Sequence, residues 1–200
     1  METVLVKNYT APPYDINEIK RYAGGKGSGK DIEDIILSCI AEVENDIFYK
    51  VCYAEFPIKV CDNEVTLGLT KFKSNSLANK LKNSTSAIIF GATIGPRIDI
   101  LINRYGKISP VKALVFQAIG AERIESLINA FITDLTAIYS ANDKTLEKRF
   151  SAGYGDLSLS YQQDIFNLLN LSKNIGLTLN ESYIMSPSKS VTAIIGLKEK

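Results

Sequence analysis

Histidine is missing from all 200 residues of the chain. That excludes Ser-His-Asp and Cys-His catalysis, HExxH chemistry and every zinc site that uses an imidazole. Any chemistry must therefore rest on carboxylates, lysines, tyrosines or a cofactor brought by a partner. Cysteine is scarce as well. Cys39, Cys52 and Cys61 show no C-x-x-C spacing, and an odd count argues for reduced thiols rather than a disulfide framework. No apolar run approaches the ~18 residues of a spanning helix, and the N-terminus lacks a signal-peptide core, so a cytoplasmic protein with no membrane partner is expected. A formal net charge of only +1 gives no reason to expect nucleic acid.

What is present is ordinary for a soluble globular chain: 46% hydrophobic and 22% charged residues. The length suits a single domain over residues 1–200 with a sizeable core. There are no internal repeats and no low-complexity linker. Periodicity alone places the N-terminal part, residues 1–84.

Val4–Val6 reads as a short strand, and Asp15 as the cap of a helix carrying Ile16, Ile19 and Tyr22. Gly24 to Lys30 matches G-x-x-x-x-G-K, but Asp31 stands where a phosphate-binding loop needs Ser or Thr for Mg²⁺. A helix-to-helix loop is the expectation there, with a nucleotide site as the competing reading. Ile32, Ile35, Ile36, Cys39, Ile40, Val43 and Ile47 recur at helical spacing, which makes Cys39 a core residue. Asp31, Glu33 and Asp34 suit the first turn of that helix.

Further on, Val51–Ile58 and Glu64–Leu69 read as strands around an Asp62-Asn63 turn. Asn75–Leu81 and Arg97–Tyr105 read as helices, and the apolar run Ser86–Ala92 as a buried strand. From Ser109-Pro110 a helical stripe continues past Gly120 to Ile138, as one helix bent at that glycine or as two. Tyr161, Ile165, Leu168 and Leu169 mark another helix, and Leu177–Met185 and Val191–Leu197 two more strands. Strands and helices mix without β-α-β alternation, so the fold class is α+β, a mixed or antiparallel sheet with flanking helices.

Arg149-Phe150-Ser151-Ala152-Gly153-Tyr154-Gly155-Asp156 follows no secondary-structure period. Its glycines let the backbone take positive φ or lie close to a ligand. Its arginine carries the planar fork that suits carboxylates and phosphates. The plain alternative is a surface turn with a solvated arginine.

These residues carry a resemblance. Arg149 to Tyr154 is similar to the R-x-x-x-G-Y signature of the activation domain of cobalamin-dependent methionine synthase, in its shorter, stand-alone form. Ile175 to Pro187, Lys189 to Gly196, Ala92 to Gly95, and Lys112 to Gly120 resemble the same family, so the likeness spans about residues 85–197. It implies a curved α+β fold and S-adenosylmethionine (AdoMet) as ligand. It implies docking on a separate cobalamin-carrying methionine synthase or another corrinoid protein, and an electron from a flavodoxin-type reductant. The cobalamin would sit on the partner, consistent with a chain that has no imidazole to offer cobalt.

By the same resemblance Arg149 pairs with the AdoMet carboxylate, a charge-assisted contact of ~1.5–3 kcal/mol. Ser151 lies where the motif's backbone meets the ligand, Gly153 allows close approach, and Tyr154 supplies an aromatic wall. Glu181 is the acidic candidate for the cationic part of AdoMet, whereas Asp143 reads as a solvated charge. No nucleophile or general base is implied, because methyl transfer from a sulfonium needs positioning rather than proton transfer. The sequence departs from the family at Ala152, where proline is usual, and it ends at Lys200 where the long enzymes run on. Both departures motivate a second reading, a docking protein of this fold without AdoMet.

Overall fold

The computed structural model describes residues 2–24 and 30–200, without the side chains of Lys30 and Asp31. The glycine-rich loop after Gly24 and the Asp31 carboxylate thus lie outside the described residues.

The sheet is built around two long strands. β1 (Leu5–Tyr9) is followed by α1 (Ile16–Tyr22), whose N-cap Asp15 accepts from the backbone of Asn17 and Glu18 as expected. α2 (Lys30–Val43) buries Ile36, Cys39, Ile40 and Val43, so the apolar stripe marks the core face. β2 (Tyr49–Cys61) then pairs with three strands: β1 along Tyr49–Tyr53, β3 (Glu64–Leu67) along Ile58–Cys61, and β5 (Ser86–Thr93) along Lys50–Pro57. β4 (Thr70–Lys73) extends β3, and α3 (Asn75–Leu81) follows it, capped by the Ser74 hydroxyl.

α4 (Arg97–Tyr105) and α5 (Pro110–Ser140) come next, then β6 (Lys144–Leu146), α6 (Gln162–Leu169) and α7 (Leu171–Ile175). β7 (Thr178–Leu179) and β8 (Met185–Ser186) form a small hairpin, and β9 (Ser190–Glu199) closes the main sheet. The order among the described residues is β4-β3-β2-β5-β9-β6, with β1 on β2, and every pairing is antiparallel. The fold is α+β.

Every residue of β5 is buried, because helices cover both faces of the sheet. Ile88, Phe90 and Ala92 join Ala193 and Ile195 of β9 in one core with α1, α2, α4 and α5. Ala87 and Ile89 point the other way, into a second core with Ile194, α3, α6, α7 and the segment around Ala152 and Leu157. The continuous apolar run in the sequence follows from this double coverage.

One alternative is decided and one expectation changes. α5 is one continuous helix of 31 residues, and Gly120 is a packing site within it. A Cβ there would stand 2.8 Å from both Ile98 Cγ2 and Lys189 Cε, so glycine lets α4 and the chain before β9 close on α5. The Leu177–Met185 stretch is a hairpin, not a strand. Asn180 Oδ1 accepts from the backbone N–H of Ser182 and Ile184, each at 2.9 Å, and Tyr183 adopts φ 59°, which turns the chain back on itself. No described helix is long and apolar enough to cross a membrane.

Candidate ligand-binding site

The segment after β6 stays attached to the edge of the sheet although it carries no strand period. Glu147 N–H donates to Gly196 O, and Phe150 and Ile194 exchange two backbone hydrogen bonds of 2.8 Å. Ser151 Oγ donates to Thr192 O at 2.7 Å. Beyond Ser151 the chain leaves the sheet through Gly153, whose φ of +89° is open to glycine at little cost. Gly153 N–H donates to Leu157 O at 2.8 Å, closing a compact turn.

Asp156 anchors that turn from outside. Its carboxylate accepts from Ser74 Oγ and from the N–H groups of Asn75 (2.7 Å) and Ser76 (3.0 Å) at the start of α3. The Ser74 hydroxyl, followed by the backbone donors, holds the Asp156 carboxyl well below the usual carboxylate range.

Between this loop, α5 and β9 lies an open cleft of about 440 Å³. Glu125 of α5 lines it together with Arg149, Ser151, Ala152, Tyr154 and Gln162. Met185, Ser190, Val191 and Thr192 also line it. Thr192 and Gln162 make a buried polar floor in which Thr192 Oγ1 donates to Gln162 Oε1 at 2.6 Å. Tyr154 is 68% exposed and stands at the rim. The volume lies within the range of small-ligand sites, ~300–1,000 Å³.

The charged pair has an uneven geometry. Arg149 Nη2 donates to both oxygens of Glu125, at 3.0 and 2.8 Å. Nη1 is shielded from solvent and has no partner among the described residues. The guanidinium thus presents one nitrogen to a carboxylate where two parallel bonds are the stronger arrangement.

Of the residues singled out in the sequence, Arg149, Ser151 and Tyr154 line the cleft together, and Gly153 shapes the turn between them. Glu181 is exposed at the tip of the β7–β8 hairpin, outside the lining, although Met185 of the same hairpin is part of it. Asp143 lies in the turn before β6, with φ 54° and its carbonyl accepting from Lys200 N–H.

No protein-family model matches the sequence, and no curated protein does. Structure is more informative. A crystal structure of the MetH reactivation domain bound to AdoHcy superposes on 97% of this chain and 78% of its own, with a TM-score of 0.72. The chain has the fold of a MetH reactivation domain. Sequence identity is only 13%, so the likeness is one of architecture and agrees with the resemblance read from the motifs.

Within this reactivation-domain fold, Glu125, Gln162 and Thr192 are cleft residues that the sequence did not disclose. Glu125 carries no motif of its own within the long helical stripe. Thr192 falls in the continuously buried run of β9, where only the pairing with the Arg149 segment reveals its role. Gln162 opens α6 and had no signal of its own.

Proposed function

We propose that this chain binds AdoMet in the cleft between Arg149 and Thr192 and serves as a reactivation protein for a cobalamin-dependent methionine synthase. The observation that carries the proposal is the joining, in one cleft of a reactivation-domain fold, of the R-x-x-x-G-Y segment with the start of β9. The donor set fits the ligand. Arg149 lines the cleft with its side chain one third exposed, and its guanidinium suits a carboxylate. Ser151, Thr192 and the adjoining backbone offer neutral hydrogen bonds, and Tyr154 and Met185 offer apolar surface for a purine or thioether.

AdoMet would supply its sulfonium methyl group, leaving as AdoHcy, and with one electron from a flavodoxin-type reductant this would return a partner's cob(II)alamin to its methylated form. This chain contributes position. Arg149 fixes the amino-acid end, the Ser151–Gly153 backbone and Thr192 fix the middle, and the openness of the cleft leaves the methyl side to the docked partner. The corrinoid would then lie on the partner above the Tyr154 rim. Service to another corrinoid methyltransferase is the same reading with a different partner.

A second reading, a docking protein that keeps the fold without AdoMet, draws on the Glu125 carboxylate already seated on Arg149. Thermal unfolding separates the two. A Tm that rises with AdoMet or AdoHcy concentration supports the first reading, since a ligand bound only to the native state stabilises it by mass action. A Tm indifferent to both, with a complex still formed with a corrinoid protein, supports the second.

A further inference from the structure

We infer that Glu125 is the ammonium ligand of the cleft and that, in the free protein, it occupies Arg149 in place of the ligand's carboxylate. The inference rests on the proposed AdoMet site and adds the feature that makes it select an α-amino acid end.

Among the residues lining the cleft, Glu125 is the one acid and Arg149 the one base. They stand side by side, about one third exposed each, at 33% for Arg149 and 37% for Glu125. An α-amino acid presents the complementary pair, a carboxylate and an ammonium on one carbon. No other residue in the lining carries a formal charge.

The geometry gives the order of events. Both Glu125 oxygens converge on Nη2 while Nη1 remains without a partner, so Arg149 is engaged but not saturated. A ligand carboxylate gains by taking the guanidinium in two parallel bonds, the stronger mode. Glu125 has no other hydrogen-bond partner among the described residues, so displacement would leave its carboxylate with water alone. The ligand's ammonium, delivered with the carboxylate, supplies the replacement. Glu125 thus opposes a bare carboxylate and favours a zwitterion, which is how a site discriminates by penalising the wrong ligand as well as rewarding the right one. On this inference the acid that meets the ammonium is Glu125 of α5 in place of Glu181 of the hairpin.

The test is isothermal titration of wild type, Glu125→Gln and Glu181→Gln with two ligands. One is AdoHcy. The other is its des-amino analogue, the S-adenosyl derivative of 4-mercaptobutyrate, which keeps the carboxylate and lacks the ammonium. Equal Tm values for the three proteins establish that the substitutions leave the fold intact. Expected is a loss of AdoHcy affinity in Glu125→Gln of about 10- to 100-fold, the range of one hydrogen bond to a charged group. The same variant should bind the des-amino analogue as well as wild type or more tightly, because Arg149 is no longer occupied. AdoHcy affinity unchanged or increased in Glu125→Gln overturns the inference and makes Glu125 a plain competitor. A loss at Glu181→Gln alone overturns it in favour of the hairpin acid. If wild type binds neither ligand, the AdoMet reading of the cleft fails and this inference fails with it. If wild type binds and only the Glu125 result is contrary, the reading survives.

Discussion

The carboxylate of Asp156 caps α3 from across the fold, sharing the N-terminal N–H groups of that helix with its own cap, Ser74. One acid therefore couples the Arg149–Asp156 loop to the second core. Replacing it, Asp156→Asn, should lower Tm at pH 7 and weaken AdoMet binding by loosening the loop. The pH dependence follows from the depressed pKa. An unfolded aspartate titrates near ~3.9, so the stabilisation is complete above that pH and is lost as pH falls toward the folded value. The Tm gap between wild type and Asp156→Asn, followed by circular dichroism, should thus close on acidification.

At the opposite core, Arg123 is fully buried against Glu122 and donates to the carbonyls of Pro12 and Pro13, at 2.6 and 2.7 Å. Its guanidinium also lies 3.8 Å from the centroid of the Tyr14 ring. The pair ties the segment between β1 and α1 onto α5. Arg123→Met leaves the buried Glu122 charge without its partner and should destabilise by about 3–5 kcal/mol. Urea unfolding of wild type and variant measures this directly.

Much of this architecture was legible in the sequence, and the reasons are local. Asn75–Leu81 and Arg97–Tyr105 follow Ser74 and Pro96, residues that open helices by their own chemistry. The Ala87–Ala92 run of β5 is apolar because both faces of the strand are covered. β6 escaped notice because its three residues are only half-buried and show no alternation, and pairing with β9 defines it. The Arg149–Glu125 pair was equally hidden. Its members lie 24 residues apart on elements brought together only by the end of α5 and the sheet edge. Arginine chemistry was readable at Arg149, but its partner was not.

Gly120 offers a test of how tightly the helices are packed. Alanine is worth ~1 kcal/mol more than glycine in a helix interior, yet overpacking a filled core costs ~1–3 kcal/mol. With Ile98 and Lys189 2.8 Å from the added methyl group, the packing cost should dominate. Gly120→Ala should be less stable than wild type by up to about 2 kcal/mol in chemical denaturation.

Gly153 combines positive φ with proximity to Leu159, whose Cδ1 would lie 3.2 Å from an added Cβ. Gly153→Ala should destabilise the protein by about 1–2 kcal/mol. It should also weaken AdoMet binding by displacing the Ser151–Tyr154 wall. Paired unfolding and titration experiments measure the two effects separately.

Arg149 is the residue proposed to receive the amino-acid end of AdoMet. The most direct measurement is isothermal titration of the purified chain with AdoMet, beside Arg149→Ala of equal Tm. The account predicts saturable binding to wild type and at least a tenfold loss in the variant, matching ~1.5–3 kcal/mol for a charge-assisted contact. Equal affinities in the two proteins, or saturable binding to neither, would contradict it.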